Sequence, residues 1–222
     1  LIFFNKNYKR EVSYILKKTR KIKLKRILDT GCGTGTHSDL LYKSKKAKIF
    51  GLDTNRYLIN TAKKKNPNIY FRNVDLKSIK EKNFDLAISM FNVVNYFKNL
   101  KKLIFFFKQI KNKTSKNSLF IFDAWNGSFN FKKTIVKEKR IIKNKNFILI
   151  NHIKTIKNPS SKKVSLNYKI MINFIKKSKK INIKYKLIQF LWTPNEIKKA
   201  LTLAGFKSVI IRKSFSNKSF TK

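Results

Sequence analysis

The sequence has few acidic residues, few glycines and one cysteine, and these shortages narrow the possible functions. The single cysteine, Cys32, excludes an intrachain disulfide and any zinc or iron–sulfur site built on several thiolates, so no metal site is predicted. No segment approaches the roughly 18 uninterrupted apolar residues of a membrane-spanning helix. We therefore expect a cytoplasmic protein without a membrane span. Because the chain begins at Leu1 without an initiator methionine, we also expect residues to precede it.

The charge balance is extreme, with 54 Lys and Arg against 10 Asp and Glu and a formal net charge of +44. One interpretation is a protein that binds nucleic acid or an anionic membrane. The other is an AT-rich genome, whose codons favour Lys, Asn, Ile and Phe. Since seven of the 54 basic residues are Arg and the lysines are spread along nearly every segment, the second interpretation is favoured. On either interpretation we expect non-specific binding to polyanions.

Three of the six glycines fall within five positions, in the run Ile-Leu-Asp-Thr-Gly-Cys-Gly-Thr-Gly that ends at Gly35. An apolar strand leads into Asp29 and a helical pattern begins at Thr36, so the glycines form the turn between a strand and a helix. Such a turn lets backbone N–H groups approach a nucleotide-like ligand. The spacing G-x-G-x-G fits a dinucleotide less well than G-x-G-x-x-G, although this alternative stays open.

Four aspartates stand where an apolar run ends. In an open parallel sheet these positions form the carboxyl edge, where ligands bind. Strands alternate with helices five times over the first 125 residues, which predicts an α/β fold with a doubly wound, mostly parallel sheet. The four residues are Asp29, Asp53, Asp75 and Asp123.

We predict one domain over residues 1–222, in which the strand–helix rhythm stops after Trp125. The core is expected at about 24–125 and 193–213, after an N-terminal helix at about 11–23. An antiparallel β insertion of about three strands is expected over about 130–191, because apolar, β-branched segments alternate there with turn signals. The helix that begins at Thr193-Pro194 and ends at Gly205 should lead into a final strand over 206–212.

The run hydrophobic-Asp-x-Gly-x-Gly-x-Gly resembles motif I of the class I methyltransferases that depend on S-adenosylmethionine (SAM). Weaker motifs follow in the order of that family, and they are most similar to the enzymes that N-methylate amino sugars on nucleotide carriers. These motifs are the entry segment Lys6-Asn7-Tyr8 with Glu11, the motif IV segment Phe84–Tyr96, the segment Phe122–Gly127 after strand five, and Thr193-Pro194-x-Glu196 followed by Ala204-Gly205-Phe206.

The resemblance implies SAM as the cofactor and assigns roles to the matching positions. Asp53 would accept hydrogen bonds from both ribose hydroxyls, and Asp75 with Leu76 would hold the adenine. The glycine turn would pass close to the methionyl part, while Asp29 would orient the turn or meet the ammonium group through water. Contacts to the cofactor are thus expected at Asp29, Gly31, Cys32, Gly33, Asp53, Thr54, Asp75, Leu76 and Met90.

The same resemblance implies methyl transfer to a small-molecule substrate, and the amine of an amino sugar is the favoured acceptor. An RNA methyltransferase and an inactive SAM-binding module remain alternatives, and the oligomeric state is not predicted. Cys32 is expected as a small apolar filler under the turn, and the two histidines, His37 and His152, as surface residues or, for His37, a helix cap. No general base is identified. The candidates to line the acceptor pocket are Tyr8, Asn92, Asn95, Tyr96 and Trp125.

Overall fold

A computed structural model describes most of the chain, which folds into two compact units. Unit 1 contains the residues up to Val94, then Leu100–Ala124 and the residues from Asn195 onward; unit 2 contains Asn95–Asn99 and Trp125–Pro194. The described residues are 6–127, 135–158, 160–176 and 179–213.

Unit 1 is built on a five-stranded sheet in which every neighbouring pair is parallel. The strand order is β3-β2-β1-β4-β5, so the chain leaves β1 toward one edge and later returns to build the other edge from β4. The point of reversal lies between β1 and β4, and ligands of such sheets bind there, beyond the carboxyl ends of the strands. The strands are β1 (Arg26–Thr30), β2 (Lys48–Leu52), β3 (Tyr70–Arg72), β4 (Phe84–Ser89) and β5 (Thr114–Phe122).

The two central strands are buried on both faces, which explains why their sequences are continuous apolar runs. Leu28 of β1 and its partner Ala87 of β4 are fully buried, as are Leu86 and Ile88. Helices cover both faces of a sheet of this kind, and the predicted doubly wound parallel sheet is confirmed.

The helices begin and end at identifiable signals. The side chain of Asn55 accepts hydrogen bonds from the backbone N–H groups of Tyr57 and Leu58 and so caps α3, and Pro67 follows its end. Among the helices of the described residues, none is long and apolar enough to span a membrane. The helices are α1 (Tyr8–Lys18), α2 (Thr36–Lys45), α3 (Arg56–Lys65), α4 (Leu100–Lys113) and α5 (Pro194–Leu203), with short 3-10 turns at Leu76–Ser78 and Val93–Tyr96.

Unit 2 is a four-stranded antiparallel sheet in the order β6-β7-β8-β9. Side chains alternate between its faces, and one face carries the buried cluster formed by Ile153, Val164, Leu166, Tyr168 and Leu191. The strands are β6 (Ile135–Lys143), β7 (Phe147–Asn158), β8 (Lys163–Phe174) and β9 (Lys180–Phe190).

Three predicted elements differ from the structure. The antiparallel insertion has four strands instead of about three, because β6 was missed: its sequence, Ile-Val-Lys-Glu-Lys-Arg-Ile-Ile-Lys, is mostly exposed and reads as a polar segment. Helix α1 covers Tyr8–Lys18, earlier than the predicted 11–23, because Asn7 caps it through the N–H of Arg10. The predicted final strand is not formed in the described residues after Gly205, where Arg212 is an isolated bridge residue.

Candidate functional site

The glycine turn follows β1 and is fixed to the end of β2. The N–H groups of Gly31 and Cys32 both donate to the carbonyl oxygen of Leu52, at 2.7 and 3.0 Å. Gly31 has φ +70°, and a Cβ there would lie 2.5 Å from Cγ2 of Val93. Gly33 has φ +57°, and a Cβ there would meet no atom within 4 Å. The turn is therefore tightly packed at Gly31 and open at Gly33.

Asp53 joins the end of β2 to the open part of the turn. Its Oδ2 accepts a hydrogen bond from the N–H of Gly33 at 2.9 Å, and its Oδ1 accepts one from the N–H of Asn55 at 2.8 Å. A carboxylate oxygen has more than one lone pair, so each oxygen can accept a further hydrogen bond. A ligand diol at the turn could thus be held by both oxygens at once. Thr54, which is exposed, follows in the same connection.

Asp29 lies deeper than the sequence suggests, because it is 1% exposed. Its Oδ2 accepts a hydrogen bond from the Oγ of Ser38 at 2.6 Å, which ties the end of β1 to the first turn of α2. Burial raises the pKa of Asp29 above the ordinary value, although the neighbouring His37 and the Ser38 hydrogen bond oppose the shift. The two predicted roles of Asp29, orienting the turn or meeting the ammonium group through water, stay predictions.

Cys32 is buried in the core cluster of unit 1, together with Phe71 and Met90. Burial raises the pKa of its thiol strongly, and the charges of Asp29 and Asp53 act in the same direction. A thiol that stays protonated is not a nucleophile. This environment fits its prediction as an apolar filler under the turn.

The third predicted acid, Asp75, lies in the connection that follows β3. Its Oδ1 accepts hydrogen bonds from the N–H of Lys77 and the hydroxyl of Ser78, and so it caps the 3-10 turn that begins at Leu76. Leu76 is 7% exposed and forms an apolar floor beneath the turn. Contact of Asp75 and Leu76 with an adenine ring stays a prediction.

The connection after β4 has a strained backbone. Phe91 and Asn92 are consecutive non-glycine residues with φ of +73° and +59°. Such conformations persist where the surroundings hold them, and they cluster at functional sites. The restraint here is Asp123, whose Oδ1 accepts the N–H of Asn92 at 2.8 Å. Burial raises the pKa of Asp123, while the N–H groups of this turn and the charge of Lys6 lower it.

A buried charged cluster, which we call the Glu11 cluster, connects α1 to α2. It consists of Lys6, Tyr8, Glu11 and His37. Oε2 of Glu11 lies 2.6 Å from Nε2 of His37 and 3.2 Å from Nζ of Lys6. The ring of Tyr8 contacts the ring of His37 edge-on at 5.0 Å. Nζ of Lys6 also lies 3.9 Å from the ring centre of Phe91, in the strained turn.

The prediction of His37 as a surface or capping residue was wrong, because His37 is 6% exposed and paired with Glu11. The sequence offered one weak hint of this contact, the position of the two residues, although they are 26 positions apart. The chain has two histidines and four glutamates, and one of each lies beside a candidate cofactor motif. His152, by contrast, is exposed on β7.

The stability of the Glu11 cluster should depend on pH. Burial alone would raise the pKa of Glu11, but the His37 hydrogen bond and the charges of Lys6 and His37 bring it below its ordinary value of 4.5. A lowered folded-state pKa contributes stability that is present above the unfolded-state pKa and is lost as the pH falls through the folded-state value.

We therefore expect Glu11→Gln to reduce the free energy of unfolding at neutral pH and to have a progressively smaller effect as the pH falls below about 4.5. Urea unfolding of both proteins across this range measures the difference. The unchanged protein and the Glu11→Gln variant contain the same other carboxylates, so the titration of those groups cancels in the difference between the two unfolding free energies. A difference that stays constant from neutral to acid pH would show that the charge of Glu11 contributes nothing.

The five candidates for the acceptor pocket are divided between the units. Tyr8 and Asn92 belong to unit 1, and the other three belong to unit 2. Within unit 2, the amide of Asn95 donates to the carbonyl oxygen of Phe190 at 2.7 Å and accepts the N–H of Trp125 at 2.9 Å. Asn95 is fully buried, and its hydrogen bonds give it a structural role. Tyr96 is 48% exposed. Contact of the five candidates with an acceptor stays a prediction.

Comparison with known proteins shows what the fold and this site are similar to. Residues 27–112 match the family model described as a methyltransferase domain. An uncharacterized protein of Methanocaldococcus jannaschii is 30% identical over 184 residues, which cover 82% of this chain. The matched region covers 62% of that longer protein.

Two solved structures share the fold over nearly the whole chain. A SAM-dependent methyltransferase from Clostridium acetobutylicum has a TM-score of 0.81 at 17% identity, covering 98% of this chain and 88% of its own. The sugar N-methyltransferase KedS8 from a Streptoalloteichus species has a TM-score of 0.79 at 14% identity, covering 91% of this chain and 81% of its own.

The parallel sheet with a glycine turn at its reversal point therefore defines a Rossmann-like methyltransferase fold. Residues 27–112 match a methyltransferase domain model, and the chain shares its fold with a SAM-dependent methyltransferase, the class that motif I resembles. SAM is the cofactor of this class. The residues present fit it, because the turn is open at Gly33 and Asp53 keeps acceptor capacity on both oxygens. The individual contacts remain predictions.

Proposed function

We propose that this chain methylates the amine of a small-molecule acceptor, with an amino sugar as the acceptor class. The observation that carries the proposal is the hydrogen bond between Asp53 and the N–H of Gly33, which fixes a carboxylate with remaining acceptor capacity beside the glycine turn. The likeness to a sugar N-methyltransferase supports the choice of acceptor, because it extends over 91% of the chain.

In this proposal the chain contributes binding and alignment. SAM, when bound, supplies a methyl group on a positively charged sulfur. Asp53 holds the ribose, Asp75 and Leu76 hold the adenine, and the backbone at Gly31–Gly33 approaches the methionyl part. Alignment of the two reacting atoms and exclusion of water can account for a large part of the rate of such a displacement.

Tyr8 acts on the acceptor side as a hydrogen-bonding residue and not as a base. Burial, assisted by the charge of Glu11, raises the pKa of its hydroxyl above 10.0. The phenol therefore stays protonated at neutral pH, where its oxygen can accept an amine N–H and direct the nitrogen lone pair. An amine acceptor enters as the free base, so no residue needs to remove a proton from it before transfer, and the methylated ammonium product releases its proton to solvent.

Asp123 is proposed as a positioning residue for the turn at Phe91–Asn92. Replacing Asp123 with Ala removes the acceptor that holds the N–H of Asn92, so the strained turn should relax. We expect kcat to fall by about tenfold or more, the equivalent of one or two hydrogen bonds. Affinity for S-adenosylhomocysteine, measured by calorimetry, should change much less.

Asp123→Asn is the matched control, because an amide oxygen can still accept the N–H of Asn92. It should keep most of the activity that Asp123→Ala loses. Equal losses in both variants would indicate that the charge, and not the hydrogen bond, is what matters.

The acceptor class is tested with a panel assayed by transfer of a labelled methyl group from SAM. The panel contains amino sugars, their nucleotide-linked forms, the corresponding hydroxy sugars, and RNA. Methylation of an amino sugar but not of its hydroxy counterpart is the expected result. Methylation of RNA alone, surviving about 0.5 M salt, would establish the RNA methyltransferase alternative, because a purely electrostatic complex weakens steeply with salt. Binding of SAM without transfer to any acceptor would indicate an inactive module.

A further inference from the structure

The outer face of the antiparallel sheet in unit 2 carries an ordered set of lysines that the proposed reaction does not use. This face is the one opposite the buried cluster around Leu166. Strand register places Lys137, Lys154 and Lys186 in one row across the sheet. The next row contains Lys139, Lys169 and Lys184, together with His152. We call these six lysines the basic belt.

The basic belt is exposed and has no acidic counterpart on its face. All six lysines are exposed, and none takes part in an ion pair within the described residues. Glu138 is the one acid between Trp125 and Pro194. It lies on the opposite face, where it pairs with Arg140 at 2.7 Å. Lysines two apart on a strand are about 7 Å apart, so their charges add at the surface.

Apolar rows flank the basic belt on both sides. The row on one side contains Ile135, Ile156 and Ile188, which are 47%, 37% and 37% exposed, with Ser165 between the last two. Ile141 begins the row on the other side and is 58% exposed; Ile150 follows it in register. Exposed apolar side chains beside a cluster of cations are typical of surfaces that lie on a bilayer, where the apolar groups enter the headgroup region.

We propose that this outer face is a docking surface for a bilayer of anionic lipid. The belt supplies charge complementary to the headgroups, and the isoleucine rows supply contact with the boundary of the acyl region. RNA is a weaker match. The two belt rows and their flanking rows contain no Arg and no Phe, Tyr or Trp, and His152 is their one aromatic ring, whereas Arg and several aromatic side chains recognise phosphate forks and unstacked bases.

Co-sedimentation with vesicles tests the proposal, using phosphatidylcholine alone and phosphatidylcholine with about 30 mol % phosphatidylserine. The intact protein should bind the anionic vesicles and not the neutral ones. The first variant changes the six lysines of the basic belt to Gln and should weaken binding at least about tenfold. A second variant, Ile135→Ser with Ile156→Ser and Ile188→Ser, should lose the part of the binding that persists in raised salt.

The matched control removes the same number of charges elsewhere. It changes six exposed lysines of helices α3, α4 and α5 to Gln and should stay within about threefold of the intact protein. The control lysines are Lys63, Lys64, Lys65, Lys101, Lys108 and Lys199. Circular dichroism and thermal unfolding establish that each variant is folded.

Several outcomes would overturn the proposal. Equal loss in the belt and control variants would show that the net charge of the chain, and not this face, attracts the vesicles. No binding of the intact protein to anionic vesicles would reject it directly. A belt variant that loses RNA binding but keeps vesicle binding would assign the face to RNA. The proposed methyl transfer is independent of every one of these results.

Discussion

Asp53→Ala is expected to lower the affinity for S-adenosylhomocysteine by about 100-fold or more. The carboxylate would bond both ribose hydroxyls, and hydrogen bonds to a charged group are worth about 1.5–3 kcal/mol each, so the loss of two amounts to at least about 3 kcal/mol. The same change frees the N–H of Gly33, which Asp53 now holds at 2.9 Å. Isothermal titration calorimetry measures the effect.

Asp85→Ala provides the matched control for this experiment. Asp85 also accepts two backbone N–H groups, those of Lys25 and Arg26 at 2.8 and 2.9 Å. It lies at the beginning of β4, on the opposite edge of the sheet from the glycine turn. The control should therefore lose stability and keep its affinity for S-adenosylhomocysteine. Unchanged affinity in Asp53→Ala would show that the ribose is held elsewhere.

Gly31→Ala is expected to produce the largest loss of stability, about 3 kcal/mol in the free energy of unfolding. An L-residue at φ +70° costs about 1–2 kcal/mol, and overpacking costs about 1–3 kcal/mol more. The overpacking arises because the new Cβ would lie 2.5 Å from Cγ2 of Val93, a stiff β-branched side chain. Urea unfolding measures the loss.

Two further variants separate the causes. Val93→Ala removes the clashing methyl groups. The double variant with Gly31→Ala should therefore regain the part of the unfolding free energy that overpacking costs, which appears as a favourable coupling energy between the two changes. Gly33→Ala places a methyl group in open space, so it should cost about 1 kcal/mol of stability but lower the affinity for S-adenosylhomocysteine. Simple additivity of the Gly31 and Val93 changes would refute the close contact.

The parts of the fold that the sequence predicts are those with strong local signals. The central strands are buried on both faces, so their apolar runs are unbroken, and the aspartates that end them mark the carboxyl edge. The glycine turn is equally readable, because positive φ and close packing both require glycine at Gly31. These features carry the resemblance to the SAM-dependent methyltransferases without any knowledge of distant contacts.

The missed parts depend on contacts between distant segments or on exposed backbone. Strand β6 pairs with β7 although most of its side chains are exposed, so no apolar pattern marks it. The pairing of His37 with Glu11 joins residues 26 positions apart. The restraint of Asn92 by Asp123 spans 31 positions and involves a backbone N–H, which leaves no trace in the sequence of either residue.

The most direct test of the central claim is calorimetric titration of the intact protein with S-adenosylhomocysteine, with NAD and ATP as comparison ligands. Raised salt suppresses non-specific binding to a chain of net charge +44. We predict saturable binding of one S-adenosylhomocysteine per chain and no binding of the other two ligands. Binding of NAD in its place, or no binding by a folded sample, would contradict the assignment of the glycine turn as a SAM site.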